Sequence, residues 1–169
     1  MAKEFVRSTK GYKHYFPGVT ATAEVIVDAG KIIAAAGVTA CGPDGQGLPI
    51  LNEFEGIRLN GFKEAGEAYE SFHLRGRQGP GFPVAADFCT TDNRPYDEVV
   101  TAILIAAAVR ALDSGEVVFS SDGRWNNWAA GVNMFEKAVR PLSDEEKLAL
   151  ELDVERMRPE GSRDGGVWP

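Results

Sequence analysis

Hydrophobic and polar positions follow two different periods along this chain, and the change falls near residue 97. Before it, short apolar stretches alternate with polar positions or are broken by Gly and Pro, which predicts strands. The aromatic and β-branched segment 5–16, interrupted by Gly11 and closed by Pro17-Gly18, reads as one or two strands. Residues 19–40 fit two patterns. Val25-Ile26-Val27 and Ile32-Ile33 around Asp28-Ala29-Gly30 look like a hairpin, while Val25, Ala29, Ile33 and Ala36 also keep helical spacing. The β-branched density favours strands. Residues 41–49 are loop by composition, and strands are expected at 53–60 and 68–75. In the second of these, Phe72 and Leu74 alternate with Tyr69, Ser71, His73 and Arg75. A Gly/Pro-rich loop at 76–83 precedes a short buried strand at 84–89.

After residue 97 the period becomes helical. Val99, Val100, Ile103, Leu104, Ala107 and Leu112 mark a helix from about 97 to 113 that is apolar around nearly its whole circumference, as a central buried helix must be. Asp97 stands where an N-cap belongs. A strand at 116–120 and a turn at Ser121-Asp122-Gly123 lead to an amphipathic helix carrying Trp125, Trp128, Val132, Phe135 and Val139, which Pro141 stops. Ser143-Asp144-Glu145-Glu146 has capping-box spacing and opens a last helix to about 157. The expectation is one α+β domain over residues 1–158, an antiparallel sheet of five or six strands packed by a buried helix and two C-terminal helices, followed by a flexible tail at 159–169.

Composition narrows the function classes. The 169 residues carry a net charge of −7, which argues against general nucleic-acid binding because no basic stripe is available to neutralise phosphates. No run approaches the roughly 18 apolar residues of a membrane span, so a cytoplasmic protein is expected. Two cysteines and two histidines are too few for a disulfide scaffold or a structural metal, and no cofactor motif is complete. An exposed Trp and an apolar helix would suit a homo-oligomer.

The densest chemistry lies at residues 88–97, Phe-Cys-Thr-Thr-Asp-Asn-Arg-Pro-Tyr-Asp, at a strand-to-helix junction. If its strand neighbours the one ending at Ser120, the junction and the 120–123 turn share one sheet edge and form a crevice lined by helix N-termini, a setting for anions. Arg94 and Arg75 offer forked donors, or else pair with Asp92 or Asp97 as surface ions. Tyr96 or Phe72 could stack a base or a sugar, Trp125 could form a stacking wall, and Thr90, Thr91, Ser121 and Asp122 supply hydroxyls and a carboxylate. Cys89 with His73 as base is a candidate nucleophile, against its reading as a small core residue. Asp97 with Asp122 could be paired acids for metal-assisted hydrolysis, against local roles as cap and turn. His14, among aromatics, reads as structural, and Asn60-Gly61 as a turn.

Leu59-Asn60-Gly61, Glu70-Ser71-Phe72, Phe88-Cys89-Thr90-Thr91 with Pro95-Tyr96-Asp97, and Ser120-Ser121-Asp122-Gly123 with Trp128 together resemble a family of small uncharacterised bacteriophage and prophage proteins. The resemblance spans roughly residues 56–135. It implies a phage origin and a pairing of the two polar turns, and it supplies no activity. Thr90 departs from a Lys frequent in that family, which removes a charge from any anion site. The resulting expectation is a non-enzymatic phage accessory protein that binds a small anionic, nucleotide-like ligand or a host protein, with sequestration of a host defence signal as one such role. A small cysteine- or metal-dependent hydrolase and a structural or assembly protein are the alternatives.

Overall fold

The computed structural model describes residues 13–77, 88–112 and 119–156. Within them the chain is α+β, with four α-helices and two antiparallel sheets. The elements are β1 (Lys13–Tyr15), α1 (Ala23–Ala35), β2 (Ala40–Cys41), β3 (Ile50–Asn52), β4 (Gly56–Gly61), β5 (Phe72–Arg75), β6 (Phe88–Thr90), α2 (Asp97–Ala111), β7 (Ser120–Ser121), α3 (Ala129–Ala138) and α4 (Asp144–Glu155). A 3-10 turn at Trp125–Trp128 leads directly into α3. Readings that fall on 5–12, 78–87, 113–118 and the tail after 156 lie outside the described residues.

α2 is the axis of the fold. Every residue from Val99 to Ala108 is buried, because α1, α3 and α4 all pack around it. Truncating one of its large side chains, such as Ile103 or Leu104, to Ala is worth about 2–5 kcal/mol of stability. α1 corrects the hairpin reading of residues 25–33. Thr22 caps it by accepting from the Val25 amide at 3.3 Å, and Val25, Asp28, Ala29 and Ile32 form one buried face. Asp28 on that face receives two hydrogen bonds from Arg110 of α2, at 3.0 and 2.8 Å. An i, i+4, i+7 face with a partner helix outweighs β-branched propensity, which is a weak preference.

The single sheet expected from the sequence is two. In the larger, β4 pairs antiparallel with β2, β3 and β5. The expected strand at 53–60 runs across a turn that joins β3 to β4. There Asn52 Oδ1 accepts from the amides of Phe54 and Glu55 at 3.0 and 2.7 Å, and Gly56 takes φ +88°. Asn60-Gly61 is likewise the end of a strand and no turn. Asn60 is buried with all four hydrogen-bonding positions used: Nδ2 donates to the carbonyls of Pro43 and Tyr69, and Oδ1 accepts from the amides of Gly61 and Tyr69. On β5, Phe72 and Leu74 are buried while His73 and Arg75 are partly exposed. The capping box of α4 forms, with Ser143 Oγ accepting from Glu146 N at 3.1 Å and Glu146 Oε1 from Ser143 N at 3.0 Å.

The smaller sheet has the order β6-β1-β7, with β1 antiparallel to both neighbours. β6 and β7 are therefore parallel to one another and end at the same edge. The turns that leave them, at 91–96 and 122–124, emerge side by side with the start of β1 between them. Among the described residues no helix is long and apolar enough to cross a membrane.

Candidate functional site

The turn after β6 is built from two left-handed residues. Asp92 (φ 51°) and Asn93 (φ 56°) occupy the middle of a turn closed by a 3.0 Å hydrogen bond from Arg94 N to Thr91 O. Positive φ at both central positions is the mark of a type I′ turn, and Asn and Asp tolerate it best after Gly. The chain then winds into α2, with Asp97 N donating to Arg94 O at 2.9 Å and the amides of Val99 and Val100 to Tyr96 O at 3.0 and 3.1 Å. The Asp97 and Val99 amides of this helix start are thus already bonded to the preceding turn, which weakens the expected anion site.

Asp97 is the first residue of α2 and not its cap. Its side chain turns inward, where Oδ1 accepts from His14 Nε2 at 2.7 Å and from the Thr91 hydroxyl. An oxygen of a carboxylate can only accept, so Nε2 carries the hydrogen of that bond, and Nδ1 lies 3.2 Å from Ser121 Oγ. Ser121 Oγ in turn accepts from the amide of Gly123 at 3.2 Å. Register explains the meeting: His14 on β1 lies opposite Cys89 on one side and Ser121 on the other. Trp128 presents its ring edge-on to the imidazole at 5.0 Å and stacks on Phe119 at 4.6 Å, walling the cluster from solvent. Thr101 adds a 2.9 Å bond to the Asp97 carbonyl.

Ser121, His14 and Asp97 are the residue types of a hydrolytic triad, but Ser121 and His14 are both 0 % exposed. A nucleophile has to reach its substrate, so this chain of bonds is a clasp between sheet and helix. Its one open end is Asp97. That residue lines a cleft of about 380 Å³ with Asn93, Arg94, Pro95, Glu98, Asn126, Asn127 and Ala130, between the start of α2 and the start of α3. Asp97 Oδ2 accepts no hydrogen bond among the described residues, and the Asp97 side chain keeps 11 % of its surface exposed. Burial, followed by the neighbouring Asp97, pushes the Glu98 carboxyl above its ordinary range.

Of the side chains singled out from the sequence as ligand contacts, Arg94 alone lines this cleft. Tyr96 is fully buried and donates to the Glu70 carbonyl at 2.6 Å. Thr91 and Ser121 belong to the clasp. Thr90 is buried, with its amide on the Glu70 carboxylate at 2.7 Å. Asp122 Oδ1 accepts from Lys13 N at 3.1 Å, holding its turn to β1. Trp125 lines a separate hollow of about 230 Å³ against α3 and Lys147. Arg75 ends β5 opposite Gly56, outside the cleft.

The hydrolase candidates fare similarly. Burial, then the nearby Glu70 and Asp97, drives the Cys89 thiol far above its ordinary range and keeps it protonated. Its bond goes to the Glu70 carbonyl at 3.6 Å, whereas His73 Nε2 faces the Glu55 carbonyl at 3.1 Å. Cys89 is a core residue. Among the described residues no group of three or more His, Cys, Asp or Glu is placed to hold a metal ion. His14, Asn93, Glu98, Asn126 and Asn127 were not marked as site residues by the sequence. His14 stands 83 residues from Asp97 and 107 from Ser121, and only strand register brings them together. Comparison with protein-family models, curated proteins and solved structures returns no match to this chain.

Proposed function

We propose that the protein binds a small polar molecule in the cleft between the starts of α2 and α3 and performs no chemistry on it. The observation that carries this reading is Asp97, which lines a cleft: one oxygen is pinned by a buried clasp, and the other has no hydrogen-bond partner among the described residues. With its twin oxygen held by buried donors, the second oxygen is fixed at the cleft, where it can accept from a bound molecule. The flanking Asn93, Asn126 and Asn127 offer amide donors and acceptors around it. From the resemblance to small phage proteins we take an accessory role in an infected cell as the proposal, with a bound molecule that comes from the host and is sequestered.

Native mass spectrometry of the protein purified from its producing cells tests the reading. The wild-type chain should retain a small-molecule adduct, or acquire one from a metabolite extract. Ala130→Trp, at an exposed position that lines the cleft, should lose the adduct while keeping the fold. An adduct retained equally by both proteins would place binding elsewhere.

A further inference from the structure

The cleft has a polarity that selects its ligand. Asp97 is only 8 % exposed, and its Oδ1 takes hydrogen bonds from His14 and Thr91, each 0 % exposed, so the carboxylate cannot turn without abandoning buried donors. With Oδ1 taken, the oxygen left for a ligand is Oδ2, which carries lone pairs only. Glu98 adds a second carboxyl beside it. Arg94, the cation among these lining residues, is engaged elsewhere: Nη1 donates to the Gly66 carbonyl at 3.1 Å, Nη2 lies 3.7 Å from Asp92, the guanidinium sits over the Tyr69 ring at 5.8 Å, and Nε is buried away from solvent. Of the amides that a helix start leaves open to an anion, those of Asp97 and Val99 already donate to Arg94 O and Tyr96 O.

Resting on the cleft reading above, we infer that the ligand carries a cationic hydrogen-bond donor, a guanidinium, amidinium or ammonium group, which it places on Asp97 Oδ2. His14 is then a positioning residue: it holds Oδ1, and by doing so aims Oδ2. Charge-assisted bonds of this kind are roughly twice as strong as neutral ones, and a forked donor can engage Glu98 or the Asn126 and Asn127 carbonyl oxygens at the same time. An anionic group in the same position would face two carboxyls.

Matched fragments decide the point in the native protein. Methylguanidinium and acetate are titrated separately into the wild-type chain at constant ionic strength, and backbone amide shifts are followed by NMR. Saturable shifts at residues 93–98 and 126–130 are expected for methylguanidinium, with an apparent Kd at least about tenfold lower than for acetate. In Asp97→Asn, the clasp is met by the amide oxygen and a nitrogen donor faces the cleft, so the order should reverse. Acetate binding these residues as tightly as methylguanidinium in the wild type would overturn the inference and leave the cleft reading standing. Methylguanidinium shifts confined to other residues, or no saturable shift from either fragment, would overturn the inference too. The cleft reading would then be judged separately, by whether the Ala130→Trp protein loses its adduct.

Discussion

Replacing Gly131 by Ala ought to stabilise an exposed helix, and here it should do the opposite. Gly131 is in the first turn of α3, where it meets α2. A methyl group built there would lie 2.1 Å from Thr101 Oγ1, 2.7 Å from Thr101 Cβ and 3.2 Å from the Ala102 nitrogen. Rotation of Thr101 does not solve this. Its hydroxyl donates to the Asp97 carbonyl, and its Cβ is fixed to the backbone of the most buried helix in the protein. The two helices must separate. Ala gains about 1 kcal/mol in helix propensity over Gly, while overpacking a filled interface costs about 1–3 kcal/mol, and contacts this short put the cost in the upper half of that range. The net is a loss of about 1–2 kcal/mol, or a fall in Tm of about 2–8 °C for a chain of this size. Urea denaturation with a double-mutant cycle checks it. Thr101→Ala removes the shorter contact, so Gly131→Ala should cost about 1 kcal/mol less in that background. A rise in Tm for Gly131→Ala, or strict additivity with Thr101→Ala, would refute the packing argument.

The clasp makes a graded series in the same denaturation assay. His14→Ala strands the buried Asp97 and Ser121 and should cost about 3–5 kcal/mol, against about 1–2 kcal/mol for Ser121→Ala; equal effects would mean that the imidazole is ordinary packing. Asn93→Gly should stabilise by up to about 1 kcal/mol through relief of its left-handed backbone, and Asn93→Val should destabilise. Cys89 should resist a disulfide exchange reagent at pH 8 in the native protein and react on unfolding, as read by peptide mass; rapid native labelling would restore it as a nucleophile. Arg140 holds the Glu146 carboxyl down to about 2 from an ordinary 4.5. Its pKa is lowered by folding, so the pair's contribution is present above 4.5 and is lost as pH falls from there toward 2. The Arg140 side chain is 48 % exposed, so solvent screening limits the pair to about 1 kcal/mol or less. Glu146→Gln should flatten that part of the acid denaturation profile.

The parts of the fold visible in the sequence are those set by local signals. The apolar circumference of α2, the Ser143–Glu146 capping box and the buried Phe72 and Leu74 of β5 each follow from neighbours a few residues away. α1 was misread because its buried face competes with a dense β-branched run, and what decides the contest is a partner helix that local sequence does not specify. Tyr96 looked like a ligand contact because a phenol in a polar turn has two uses, and only the position of the Glu70 carbonyl shows which applies. Arg94 lies beside the cleft at a helix start, but its guanidinium is taken up by the Gly66 carbonyl, Asp92 and the Tyr69 ring, none of which its local sequence specifies together. His14 was not legible as a site residue, since nothing near it in sequence hints at Asp97 or Ser121.

The geometry of one carboxylate carries the proposed binding, and a crystal structure of the protein with methylguanidinium shows it directly. A fragment nitrogen is expected within about 3 Å of Asp97 Oδ2, with Oδ1 still bonded to His14 and Thr91. A fragment seated elsewhere, or an Asp97 with both oxygens turned to protein groups, would contradict it.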